Sequence, residues 1–198
     1  VYDNKVTISD IVKVSATNSI PPLMNGGNPK TDIIIKIELA NDLSLDITLS
    51  VKNTNSTKVS CHDYKAKDYI RVLKSKDTRL EYYFYLFQSF PSLKAFKENL
   101  IKGYSIEEFE KLLLNKSEIF NKWVLKGEND IENLTIPELQ ISKYLLINKN
   151  GDLVFHLYDD YIKLICLNSK KTFGVPFGWT YPSKHKGKRI QLKMPVIV

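Results

Sequence analysis

The residues best equipped for chemistry lie on two neighbouring strand-like segments. Asp32 follows Gly26-Gly27-Asn28-Pro29-Lys30-Thr31 and opens the β-branched run 33–39 (IIIKIEL), while Ser50, Val51 and Lys52 close a second run, 44–52 (SLDITLSVK). Leu45, Ile47, Leu49 and Val51 alternate with other residues, the period of a β-strand. Ser50 and Lys52 therefore share one face of that strand, and Val51 is expected to point the other way, into the core. A turn centred near Asp42 sets residues whose numbers sum to 84 opposite one another, which makes Asp32 face Lys52 across the hairpin. A carboxylate so placed can hold a hard divalent cation, the cation stabilises charge building on a phosphorus centre, and the ammonium orients or activates the attacking water. That is the equipment of phosphodiester hydrolysis. On spacing alone, a surface Asp and a Lys laid along a hairpin fit the pattern equally well.

The elements that would position these residues follow from periodicity. Ser60 with Asp63 three positions on resembles a capping box and predicts a helix running to about Lys74. Residues 78–90 are dense in aromatics. Residues 92–102 place Leu93, Phe96 and Leu100 at helical spacing, and Ser105 with Glu108 opens a helix carrying Phe109, Leu112 and Leu113. Residues 116–126, with Phe120 and Trp123, give one more helix before a polar loop at 127–137. Period two then returns in 139–148 and 153–165 around Asn150-Gly151, a tight-hairpin signal, and 188–194 is the last strand. Strands, a helical middle and strands again predict the α/β class: an α+β mixed sheet flanked by helices, with a C-terminal β region, in one domain over residues 1–198.

Composition narrows the function. A chain of 198 residues with 43% apolar content can bury a sizeable core, and no apolar run approaches membrane-spanning length. Cys61 and Cys166 stand far apart, and His62, His156 and His185 lack ligand spacing, so neither a disulfide framework nor a zinc site is expected, and a reducing, cytoplasmic setting is. His62 is read as a polar residue at a helix start. The chain begins at Val1 with no initiator Met or signal-like segment, so a longer protein with a further N-terminal part is expected. The formal charge of +7 is uneven: residues 163–198 hold eight Lys/Arg and no Asp/Glu, so the rest of the chain sums to −1. Such a one-sign segment attracts polyanions, nucleic acid above all. A solvated basic tail would look similar, but Phe173, Phe177, Trp179 and Tyr181 are interleaved with the charges, and Trp179 reads as a packing anchor.

Three ordered blocks carry a resemblance: GGNPKTD at 26–32, SVKNTNSTKVSCHDY at 50–64, and FGWTY at 177–181 followed by QLK at 191–193. They are similar to the corresponding blocks of MspI-like type II restriction endonucleases, small PD-(D/E)xK enzymes. Weaker similarity runs from about Ile11 through the Trp123 helix and YDDYI at 158–162 to Lys193. The resemblance implies a restriction-endonuclease-like fold, Asp32 as metal-binding aspartate and Lys52 as catalytic lysine. Ser50 departs from the family, which places an amide or an acid there. Metal binding is then expected to rest on Asp32, Ser50, the Val51 carbonyl, waters and DNA phosphate, with Mg²⁺ as cofactor and Mn²⁺ as substitute.

The same resemblance lays the DNA-contacting C-terminal block on Thr180, Tyr181, Ser183, Gln191 and Lys193, with basic help from Lys184, Lys186, Lys188 and Arg189. A second contact region falls on residues 54–60, where Lys58 and Ser60 are the candidates. The expectation is Mg²⁺-dependent cleavage of double-stranded DNA at a short GC-rich palindrome, CCGG first and a GCGC type second, by a monomer needing no protein partner and no membrane. The alternative is a DNA-binding, targeting domain of a larger defence protein that has lost catalysis.

Overall fold

The computed structural model describes residues 7–197. Its first sheet is mixed and five-stranded, in the order β1-β2-β3-β5-β6. β2 (Ile33–Leu39) and β3 (Ser44–Thr54) form the antiparallel hairpin anticipated from alternation, and β1 (Ile11–Thr17), a strand that periodicity missed, pairs antiparallel with β2. β5 (Tyr144–Lys149) lies parallel to β3 and antiparallel to β6 (Asp152–Leu157). The tight turn between β5 and β6 has Asn150 at φ 56° and Gly151 at φ 98°, both left-handed as such a turn requires.

The hairpin register differs from expectation. Leu39 N–H donates to the Leu43 carbonyl at 2.9 Å, and Asp42 sits at φ 62°. The turn is thus a three-residue loop centred on Asn41, with a left-handed third residue. Ile33 pairs with Leu49, so opposing numbers sum to 82 and Asp32 stands across from Ser50 rather than Lys52. The facing also differs. Ser50 and Thr48 are fully buried, as are Leu145 and Ile147 on the adjoining strand, whereas Val51 is only half-buried. The catalytic candidates therefore project from the covered side of the sheet and Val51 from the more open one.

A second, three-stranded sheet runs β4-β8-β7, with β4 (Lys58–Tyr64), β7 (Gly178–Thr180) and β8 (Ile190–Pro195) all antiparallel. The helix expected to start at Ser60 does not start there, because residues 58–64 are β4. The capping pattern at Ser60 loses because Ile190, Leu192 and Met194 of β8 are fully buried against a strand partner, and burial outweighs a local signal. The helix starts later, as α1 (Ala66–Val72), where the Asp68 carboxylate accepts from the Lys65 N–H at 3.2 Å.

The chain then runs through α2 (Thr78–Ser89), α3 (Leu93–Glu98), α4 (Ile106–Leu114), α5 (Ser117–Lys126) and the short α6 (Pro137–Gln140) before reaching β5. Asp77 caps α2, and Ser105 caps α4 by accepting from Glu108 N–H at 3.1 Å. Residues 139–148 prove to be the end of α6, a link and most of β5. The run 153–165 is a strand only to Leu157. Two acids in the next turn and Tyr158, Tyr161 and Ile165 on one buried stripe make α7 (Tyr158–Asn168) helical. Trp179 enters the helical layer from β7, its ring stacked 5.9 Å from Phe120 and edge-on to Phe87 at 5.2 Å, the anchor role expected of it.

Candidate functional site

The catalytic candidates converge. Asp32 Oδ2 accepts from the Val51 N–H at 2.7 Å and from the Ser50 hydroxyl at 3.0 Å. Lys52 Nζ donates to Ser50 Oγ at 2.8 Å and to the Val51 carbonyl at 3.2 Å, and stands 3.6 Å from Asp32 Oδ2. A register one pair away from the expected one still brings Lys52 to Asp32, because both lie on the same face as Ser50. Ser50 is the hinge of this arrangement, donating to the carboxylate and accepting from the ammonium. Asp32 keeps 47% of its side chain exposed and Lys52 17%, so the carboxylate looks out from the site while the ammonium is held within it.

The donor set fits a hard divalent cation. It consists of oxygens alone: one carboxylate, one hydroxyl and one peptide carbonyl, a shortage that magnesium-type sites meet with waters and substrate phosphate. No group of three or more His, Cys, Asp or Glu with metal-holding geometry occurs among the described residues. The exposed carboxylate is the one strong protein ligand here.

Lys30, two residues before Asp32, was absent from the sequence candidates and proves to be a structural tie. Its Nζ donates to the Cys61 carbonyl and meets His62 Nδ1 at 3.0 Å, joining the catalytic loop to β4. Desolvation draws the Lys30 ammonium down to about 8, and the Lys52 cation pulls the same way. His62 is held well below its ordinary value, by burial first and by Lys30 second. It is therefore a neutral ring offering Nδ1 as acceptor. Expected at a helix start, His62 instead lies on β4, stacked on Tyr64 at 4.3 Å and edge-on to Trp123 at 4.2 Å. The stem of Lys30 passes Gly127, which ends α5 at φ 80°; a Cβ there would come within 3.0 Å of Lys30 Cγ.

Gln140 was also missed. Fully buried, it accepts from the N–H groups of Thr135 and Ile136 at 2.8 and 3.0 Å and donates to the carbonyls of Pro21 and Pro22 at 2.9 and 2.8 Å. The stretch 127–137, read as a polar loop, thereby braces the segment that leads into Asp32. No periodicity signals either residue, since each acts on partners distant in sequence.

The second sheet gathers the remaining candidates. Ser60 pairs with Lys193 and Lys193 with Gly178, while Asp63 pairs with Gln191 and Gln191 with Thr180. A bulge between Ser60 and His62 inserts Cys61, so that Ser60 and Asp63 both face outward although their numbers differ by an odd count. A Cβ on Gly178 would lie 3.4 Å from Lys58 Nζ and 3.8 Å from Lys193 Cβ, so glycine leaves room for both lysines. Beyond β7, Tyr181 carries Lys186 Nζ 5.5 Å above its ring, and Ser183, Lys184, Lys186 and Lys188 are all exposed on the connection to β8. The described structure thus brings Lys58, Ser60, Thr180, Gln191 and Lys193 onto one small sheet and hangs the other basic residues on its β7–β8 loop. A cleft of about 300 Å³ lies between Asn28–Lys30 and the outward row that includes Ser60, Asp63 and Gln191. The segment leading into Asp32 and the second sheet are the two walls of one depression.

Comparison with known proteins places the chain in a family and a fold. The sequence profile of the family described as Restriction endonuclease MspI matches residues 3–194. Type II restriction enzyme BsuFI of Bacillus subtilis is 31% identical over 197 residues, covering 96% of this chain and 46% of that enzyme. Type II restriction enzyme MspI of Moraxella sp is 26% identical, covering 94% of this chain and 72% of that enzyme. The chain therefore spans about half the length of the first of these relatives. A crystal structure of MspI in complex with its cognate DNA superposes with a TM-score of 0.77 at 23% identity, over 95% of this chain and 72% of that one, and shows the shared fold.

Proposed function

The chain belongs to the restriction endonuclease MspI family, and from that premise we propose that it is a type II restriction endonuclease, cutting phosphodiester bonds of double-stranded DNA with Mg²⁺ or, in its place, Mn²⁺. The observation that carries the reading is the contact set around Asp32 Oδ2, in which Ser50, Val51 and Lys52 meet one carboxylate beside a basic sheet. The two similar enzymes are named type II restriction enzymes, and the superposed structure holds its cognate DNA. The target is a short GC-rich palindrome, CCGG in the first place and a GCGC type in the second. Residues 1–198 act as one domain, working as a monomer in the cytoplasm without a protein partner.

Each residue has a task. Asp32 and Ser50, with the Val51 carbonyl, would hold the metal, which supplies charge stabilisation at the phosphate and acidifies bound water. Lys52, fixed by Ser50 Oγ and the Val51 carbonyl, places an ammonium where negative charge develops and orients the attacking water. Gln191 and Lys193, with Thr180, Tyr181, Ser183 and Ser60, offer donors and acceptors to base edges. Lys58, Lys184, Lys186 and Lys188 anchor phosphates.

A second reading has one observation behind it. The hydroxyl of Ser50 is a weaker metal ligand than a carboxylate or amide and is already committed to Asp32 and Lys52, as a DNA-binding module without catalysis would tolerate. Incubating supercoiled plasmid of known sequence with Mg²⁺, Mn²⁺ or EDTA, then mapping the fragment ends, decides. Discrete fragments sharing one terminal sequence in Mg²⁺ and none in EDTA are expected; binding without cleavage in either metal would leave the module reading standing.

A further inference from the structure

Arg189 stands one residue before β8, and alternation gives it the outward face that Gln191 and Lys193 occupy. On the neighbouring strand, Asp63 pairs directly with Gln191 and reaches Arg189 on the diagonal, where Arg189 Nε lies 3.5 Å from Asp63 Oδ1. Both atoms are sealed from solvent and neither has a hydrogen-bond partner among the described groups, so what joins them is an ion pair alone. The two side chains remain about one-third exposed, at 37% and 34%. The guanidinium thus has a carboxylate beside its inner nitrogen while the side chain stays partly open. As a stabilising ion pair such a contact is weak, but a carboxylate placed beside Nε biases the planar fork to turn its terminal amino groups away from the sheet.

Asp63 also sits where a bare phosphate anchor would not want it. A carboxylate on the outward face of a basic sheet repels the backbone of DNA, and the other cations of this region, Lys184, Lys186 and Lys188, lie on the loop with no acid beside them in the described structure. We propose that Arg189 is a base-reading residue that takes guanine through O6 and N7 in the major groove, and that Asp63 is the positioning residue that aims it. Guanine is the base whose two acceptors match the fork of an arginine. The assignment rests on the nuclease reading above and goes beyond it, by taking Arg189 out of the set of general phosphate anchors and by giving a role to an acid outside the catalytic hairpin.

The test compares wild type, Arg189→Lys, Asp63→Asn and the double variant on the enzyme's own mapped site and on every single base-pair substitution of it. Arg189→Lys keeps the charge and loses the fork. It should lower cleavage of the cognate site by about ten- to a hundred-fold and erase discrimination at one G·C position, with affinity for unrelated duplex nearly unchanged. Asp63→Asn should relax the same position, and the double variant should be no worse than Arg189→Lys alone, because the pair acts as a unit. Equal loss on cognate and unrelated DNA, or an unaltered profile across positions, overturns the proposal and returns Arg189 to the anchors. Should wild type cut nothing, the nuclease reading fails separately, and equilibrium binding to the same panel in Ca²⁺ decides the pair by the same criterion. If either variant melts early, Arg189→Gln and Asp63→Glu repeat the comparison.

Discussion

Ser50 carries more than its size implies. Its hydroxyl links carboxylate to ammonium, and it is fully buried, so any replacement has to serve both neighbours in the same space. Ser50→Asn is expected to keep cleavage and lower the Mg²⁺ concentration for half-maximal cutting, since an amide oxygen is the better ligand and its N–H₂ can still donate to Asp32. Mg²⁺ and Mn²⁺ titrations of the cleavage rate check this; curves that superimpose on wild type would remove Ser50 from the metal site. Lys52→Ala should abolish cutting while affinity for cognate duplex, measured in Ca²⁺, stays within about a factor of three, because it deletes transition-state stabilisation and no phosphate anchor. Retention of more than a minor fraction of the cleavage rate would place the catalytic lysine elsewhere. The shared face of Ser50 and Lys52 was legible from alternation. Their opposition to Asp32 was legible only to within one pair, because the left-handed Asp42 shifts the centre of the turn.

At the scale of elements, the pieces that read well are those whose patterns are local. The β2–β3 hairpin, the Asn150-Gly151 turn and the helix capped by Ser105 announce themselves within a few residues. β4 does not, because the bulge at Cys61 breaks its alternation and because its reason for being a strand is β8. The bracing of the GGNPKTD segment by Gln140 is similarly invisible. Gln140→Leu leaves two peptide N–H groups and the Pro21 carbonyl without partners, while the Pro22 carbonyl keeps the Thr135 hydroxyl, at a cost of about 2–4 kcal/mol. We expect a lower melting temperature and a fall in kcat, with DNA affinity much less affected, since the braced loop carries Asp32 and not the reading face. Cleavage at the wild-type rate below the new melting point would show that the brace serves stability alone. On the second sheet, Gln191→Ala and Lys193→Ala should each cost about 1–3 kcal/mol, mostly on the cognate sequence. Lys186→Ala should weaken cognate and random DNA alike and lower the salt slope by about one. Identical losses from all three would reduce the sheet to a charged surface.

For the whole molecule, the uneven charge noted in the sequence takes a place in the fold, since Lys193 on β8 and Lys184, Lys186, Lys188 and Arg189 on the β7–β8 loop hold five of the eight C-terminal cations. The same region is bolted to the core by Trp179, which touches Phe87, Phe109, Phe120 and Phe173. Trp179→Ala should cost about 3–5 kcal/mol. Thermal unfolding and cognate binding should fall together, because the anchor of the reading sheet and the aromatic core are one cluster; a melting temperature unchanged to within a degree would mean that β7 is not integrated with the helices.

The second sheet also has a calendar. Cys61 Sγ and the Leu192 carbonyl that accepts from it are 131 residues apart, and β4 finds its sheet partner only in β8. The β2–β3 hairpin, in contrast, closes over a turn of three residues and can form as soon as both strands are made. Synthesis at about 5–20 residues per second puts an interval on the order of ten seconds between the two events. A chain still on the ribosome thus holds Asp32, Ser50 and Lys52 before it possesses β7 and β8, the strands proposed to read sequence. β5, the parallel neighbour of β3, also emerges after the hairpin and before β8. On the function proposed above, the order that this topology imposes is cutting residues first, their support next and the choice of site last, and the final strand is what would turn a hairpin with a carboxylate and an ammonium into something that can refuse the wrong DNA.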